Sequence, residues 1–226
     1  MSIEQKKIKV WDVPTRMFHW LTVVLLICLW WTADAGEMEW HQVCAYSFLV
    51  LIVFRLLWGF VGSDTAKFKD FVAGPKKVIG YLREPSKEPV VGHNPMGGYM
   101  VLLMLFVLTL QLLTGLFATD DIFTEGPLYA MVSSDTASFM TWLHKMNFNF
   151  ILGCIALHLC AITVYAIKGH KLVAAMISGK KSLTEEEHQL LSTEPKMKSP
   201  LLALGIVLLV GSGVWVWLIS PIIAFM

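Results

Sequence analysis

Charged residues are scarce in this sequence, at 15% against the roughly 25% of an ordinary soluble domain. Such a chain has too little polar surface to cover itself, so lipid must be the solvent for much of it. Charge of one sign is lacking too. The 18 Lys and Arg nearly balance the 17 Asp and Glu, which excludes the clustered basic excess of a nucleic-acid binder. The four cysteines, Cys28, Cys44, Cys154 and Cys160, sit inside apolar runs and form neither CxxC nor CxxCH. Zinc ribbons and covalently attached c-type haem are thereby disfavoured, and small buried apolar roles remain. The basic N-terminal stretch runs into its apolar segment without a small-residue cleavage site, so that segment reads as a retained span. No internal repeat is present, nor a stretch that would make a separate soluble domain.

What the sequence does hold is long apolar runs. Five are long enough to cross a bilayer: roughly Phe18 to Ala33, His41 to Gly62, Gly97 to Ala118, Thr141 to Ile167 and Pro200 to Met226. Tryptophans such as Trp20, Trp30, Trp31, Trp40, Trp58 and Trp142 mark their ends, as in an interfacial belt. Four of the cations precede the first span, six lie from Lys67 to Lys87, and six lie from Lys168 to Lys198. The other two loops hold no cation and seven acids. The positive-inside rule then places the N-terminus in the cytoplasm and the C-terminus outside. Within the second long cytoplasmic loop, SLTEEEHQLL has the pattern of a capping box opening a short amphipathic helix. The predicted class is all-α, a transmembrane helix bundle.

Histidines carry the chemistry, because an imidazole inside a span is costly and marks function by default. His144 and His158 are 14 residues apart on the fourth span. On a helix that is about 40° short of four turns and about 21 Å of rise, so one face presents two rings at two depths. His170 falls about 120° off that stripe. With the spans oriented as above, His41 shares the outer level with His144, and His19 shares the inner level with His158. Two such pairs would each fill both axial positions of a haem iron. The inner pair requires the fourth helix to tilt or project inwards. Haem propionates call for cations. Arg16 precedes His19 by three residues, and Arg55 lies 14 residues beyond His41, at the inner level. Arg55 either meets a propionate or snorkels to the interface. Small residues Ala45, Gly115, Gly153 and Ala156 would admit a flat macrocycle, and also suit plain helix packing.

With these residues placed, the sequence resembles the bacterial cytochrome b561 family, in particular the b-type cytochrome subunits of nickel–iron hydrogenases. The motifs are VWDVPTRMFHW, HQVCAY, FRLLWGFVGS, GHNPMGGYMVLLMLF, LHKMNFNFILGCIALHL and ISGKK, across about residues 8 to 181. The resemblance implies a four-helix core binding two non-covalent b haems through His19, His41, His144 and His158. Ala45 stands where the family usually has glycine. The expected organisation is a di-haem membrane domain over 1–181, a cytoplasmic linker over 182–198, and an extra transmembrane helix over 199–226. That fifth helix would pack against a partner subunit or a second copy.

The resemblance further implies a bacterial inner-membrane protein that exchanges electrons with quinone at the cytoplasmic level. Asn94 of GHNP occupies the place of a quinone-binding asparagine, and His93 beside it could exchange the proton. Equally, Asn94 caps a helix that opens at Pro95; the two roles are compatible. The expected function is respiratory electron transfer between quinone and a periplasmic redox partner, a c-type cytochrome or an enzyme subunit. An alternative is a stand-alone oxidoreductase passing electrons from superoxide or another small molecule to quinone, with Lys145 attracting the anion. A metal or proton transporter would need acids within the spans, and no span interior contains one.

Overall fold

In the computed structural model, residues 5–83, 90–122, 124–191 and 193–226 are described; Lys87 and the first four residues lie outside them. Among the described residues, five helices are long and apolar enough to cross a membrane. They are α1 (Val13–Asp34), α2 (Met38–Val61), α5 (Pro95–Gly115), α6 (Ser134–Ile167), and α9 (Pro200–Val214), which continues through a π-turn at Trp215–Ile219 into α10 (Ser220–Phe225). Short helices α3 (Phe68–Phe71), α4 (Pro75–Arg83), α7 (Leu172–Ser178) and α8 (Glu185–Gln189) fill the connections. The all-α reading therefore holds, with one small exception. Strand β1 (Gln5–Lys9) pairs antiparallel with β2 (Lys180–Thr184), setting Ile8 opposite Lys181 and Lys9 opposite Lys180.

Helix ends differ from the hydropathy reading where polar caps extend them. α1 begins at Val13, ahead of the expected Phe18, because Asp12 Oδ1 accepts the Thr15 N–H at 2.7 Å. Pro14 fits in that first turn, where its missing N–H costs nothing. α6 begins at Ser134, ahead of Thr141: the Ser133 hydroxyl accepts from the Thr136 backbone at 3.3 Å, so a polar turn precedes the apolar stretch. The expected capping box is present. Thr184 Oγ1 accepts from the Glu187 backbone at 3.2 Å, and Glu187 Oε2 accepts from the Thr184 backbone at 2.9 Å.

The chain divides into two compact units. The first comprises Met1–Trp20, Phe54–Val101 and Cys160–Ile206. Its sheet buries Ile8, Val10 and Leu183 beneath Trp11, Val91 and Leu191. Val10 and Trp11 donate their backbone N–H groups to the Gly179 carbonyl. Gly179 has φ +77°, and a side chain there would lie 2.8 Å from the Trp11 carbonyl, so this close approach requires glycine. The segment expected as a linker is tied down: Lys196 and Asp64 exchange backbone and side-chain bonds, and Lys198 N donates to Ser63 Oγ at 2.9 Å.

The second unit comprises Leu21–Val53, Leu102–Leu159 and Val207–Met226. Phe48, Ile52, Val107 and Ile151 are nearly inaccessible within it. Buried Asn147 donates to the Val107 carbonyl at 2.9 Å and to Gln111 Oε1 at 2.8 Å, cross-linking α6 to α5. Neither amide hydrogen is left to face apolar surroundings unpaired.

Candidate haem site

Within the second unit, His41 of α2 and His144 of α6 turn their rings towards each other. The centroids are 6.4 Å apart and the planes stand at 79°. Each ring is held from behind by another helix. His41 Nδ1 lies 3.0 Å from the Leu29 carbonyl and 3.4 Å from Thr32 Oγ1. His144 Nδ1 lies 2.9 Å from the Gln111 carbonyl and 3.2 Å from Thr114 Oγ1. The same device occurs twice: a carbonyl and, three residues on, a threonine. Both threonine hydroxyls donate back to their own helix, Thr32 to Cys28 O at 2.8 Å and Thr114 to Leu110 O at 2.8 Å. Their oxygens are thereby turned to accept. A carbonyl can only accept, so Nδ1 carries the proton on both rings and Nε2 keeps its lone pair.

Both rings line a cavity of about 440 Å³, together with Ala45, Gln111, Gly115 and Lys145. Glycine at 115 leaves room for this ring, since a Cβ there would lie 3.0 Å from His144 Cε1 and the ring would have to yield by a few tenths of an ångström. The donor set favours haem over a bare ion. Among the described residues no cluster of three or more His, Cys, Asp or Glu could hold a metal alone. Two imidazoles at metal-bonding distance, about 2 Å each, have centroids roughly 6 Å apart, matching the separation seen. A porphyrin would supply the four remaining ligands, and the mainly apolar cavity suits its faces.

The other expected residues fall as follows. His158 lies on α6 in the second unit, half-buried, with His144 on the same helix. His19 belongs to the first unit, its ring edge-on to Trp20 at 4.9 Å. Arg16 donates through Nη2 to the Ile177 carbonyl, while its buried Nε has no hydrogen-bond partner. Arg55 is 2% exposed, its guanidinium 5.2 Å above the Phe68 ring and 6.0 Å above that of Phe71. Arg55 Nη1 is buried without a partner. A buried guanidinium with an unused N–H fits a bound carboxylate such as a propionate. Snorkelling does not describe it, because its head is covered.

His93 packs between Trp11 and Phe71, with ring centroids 4.6 and 4.9 Å away. Asn94 caps α5, its Oδ1 accepting from the Gly97 backbone at 2.7 Å. That fixes Nδ2 towards Tyr165 and Tyr81, whose hydroxyls accept at 2.5 and 3.2 Å. Burial, and then the bond to Tyr165, push the Tyr81 phenol up to about 12. The sequence reading missed these tyrosines and the two threonines. The signal available was weak: a hydroxyl in the last turns of α1 and of α5.

The model of the prokaryotic cytochrome b561 family matches residues 10–179. The chain belongs to that family. The probable Ni/Fe-hydrogenase B-type cytochrome subunit of Rhizobium leguminosarum bv. viciae is 22% identical over 229 aligned positions, covering 82% of this chain and 93% of that protein. No solved structure matches. As a cytochrome b561, the chain is a multi-pass membrane protein that transfers electrons with haem b. Residues beyond 179, including β2 and α9, lie outside the family match.

Proposed function

We propose that this cytochrome binds two b haems and moves electrons between quinone near the cytoplasmic face and a redox partner on the periplasmic face of the bacterial inner membrane. The observation that carries the reading is the His41–His144 pair, two Nδ1-anchored imidazoles 6.4 Å apart on one cavity. Bound haem supplies a one-electron redox couple. The protein supplies placement. Leu29 and Gln111 hold the two outer rings in register, and the proposed inner ligands are His19 and His158. His158 shares a helix with His144 at a spacing that presents two rings on one face.

Arg16 and Arg55 are proposed to meet propionates; the unpartnered Arg16 Nε and Arg55 Nη1 support this. For quinone, we propose His93 and Asn94. Asn94 is already committed to Gly97, Tyr81 and Tyr165, so its part is to orient the two tyrosine hydroxyls beside it. The partner would be an enzyme subunit or a c-type cytochrome. The named relative is a subunit of a hydrogenase, which supports an enzyme. A second reading, oxidation of superoxide at the outer site, is favoured by Lys145, a cation lining that cavity.

Pyridine haemochrome quantification with reduced-minus-oxidised spectra tests the core of this. Two b haems per chain are expected, falling to one in His144→Ala or His41→Ala. Full haem content in either variant would overturn the ligand assignment. Turnover of superoxide by the isolated chain would favour the second reading, and co-purification with a periplasmic enzyme the first.

A further inference from the structure

A second cavity, of about 280 Å³, lies in the first unit, and of its lining residues only Arg16 has been given a part in the functions above. Lys9, Arg16, Lys180 and Lys198 line it. Among the described residues its one carboxylate is Asp12, and both oxygens of Asp12 are taken, by the Thr15 N–H at 2.7 Å and by Trp58 Nε1 at 2.9 Å. Lys9, Lys180 and Lys198 form no ion pair with any described residue. The sheet register adds a second, independent signal. Lys9 stands directly opposite Lys180, and like charges facing each other across an antiparallel pair destabilise it unless an anion lies between them.

Place decides the kind of anion. Val13 and Pro200, the opening residues of α1 and α9, both line the cavity. Two spans therefore begin here with their positive dipole ends, at the depth where headgroup phosphates lie. Lys180, Met197, Lys198 and Pro200 come from the segment beyond the family match. The added C-terminal segment thus completes the cavity. We propose that this pocket binds the phosphate of an anionic phospholipid through Lys9, Lys180 and Lys198, with Arg16 as a wall held by the Ile177 carbonyl. Polybasic sites at a cytoplasmic interface attract such lipids charge by charge. The lipid would join the start of α9 to β1, clamping the extra helix to the family core.

The test uses the full-length, haem-loaded protein in neutral detergent. Retained phospholipid is measured by mass spectrometry, and thermal unfolding is followed with phosphatidylglycerol, phosphatidylcholine or inorganic phosphate. Phosphatidylglycerol should co-purify and raise the unfolding temperature, while the other two at equal phosphorus should not. Combining Lys180→Gln with Lys198→Gln should lower retained phosphatidylglycerol by about tenfold or more and leave haem absorbance unchanged. Lys180→Gln alone removes the repulsion with Lys9, so without lipid it should unfold no earlier than the parent. That separates lost lipid from a lost fold. An equal response to phosphatidylcholine, saturation by inorganic phosphate, or unchanged retention in the double variant would overturn the proposal. Loss of haem from the double variant would reassign the pocket to a propionate and overturn it as well.

Discussion

Thr114 Oγ1 lies 3.2 Å from Nδ1 of His144, and Thr32 Oγ1 lies 3.4 Å from Nδ1 of His41. Acceptors behind a metal-bound imidazole raise its basicity and fix its tautomer. The carbonyls do most of this, at 2.9 and 3.0 Å. Thr114→Val keeps the shape and removes one acceptor, so the ring becomes a weaker donor to oxidised iron. Full haem content is expected, with the midpoint potential of one haem raised by a few tens of millivolts. A potentiometric titration identical to the parent would refute the role.

Gly115 and Gly153 make opposite predictions. A Cβ at 115 meets His144 Cε1 at 3.0 Å, whereas one at 153 meets nothing within 4 Å. Gly115→Val should displace the His144 ring and cost one of the two proposed haems, read by pyridine haemochrome. Gly153→Ala should leave haem content unchanged and help the helix by up to about 1 kcal/mol. Equal haem content in both variants would show that the 115 contact does not hold the ring.

Asp12 joins three elements. It caps α1 through Thr15, accepts from Trp58 of α2, and lies three residues beyond the strand that pairs with β2. Asp12→Ala strands two buried donors, Thr15 N–H and Trp58 Nε1–H. The expected loss is about 2–4 kcal/mol, measured by denaturant unfolding with tryptophan fluorescence. A loss under about 1 kcal/mol would be inconsistent with two stranded buried donors.

Asp64 offers a pH test outside the membrane. Its carboxyl is held below the usual 3.8 by the bond from Lys67, at 2.8 Å, and then by the Lys196 backbone. A depressed folded value means stability is present above the ordinary aspartate range and lost as pH falls through the folded value. Protonation below pH 3.8 should therefore release the 63–64 to 196–198 junction. The pair is only partly covered, so solvent screens it and the effect is local. Hydrogen exchange at Lys196 N–H should accelerate on acidification in the parent, and be fast at all pH in Asp64→Ala. Protection that persists below that range would contradict it.

The sequence legibly marked the spans, because a long run of apolar residues with almost no charge has few places to go but lipid. The ligand candidates were legible for a related reason: His144 and His158 stand on one helix, where spacing alone sets a shared face. Legibility stopped where partners come from far along the chain. The Leu29 carbonyl behind His41 and the Gln111 carbonyl behind His144 are backbone atoms with no residue signature. Phe68 and Phe71, which lie beneath the Arg55 guanidinium, stand 13 and 16 residues further along the chain and gave no signal of that contact. The strand pairing of β1 with β2 joins segments about 175 residues apart, and its lysine-rich pattern has none of the alternation that marks a strand.

By itself the sequence determined that this protein lives in a membrane, that it carries five segments long and apolar enough to cross, and that two imidazoles of one span share a helix face, since hydropathy and helical period are local quantities. Only the tertiary structure decided which nitrogen of His41 and His144 faces a carbonyl of the neighbouring helix, what covers Arg55, and that lysines of β1, β2 and the α9 approach meet in one pocket. Those depend on atoms brought together by packing, and packing is not a property of any one segment.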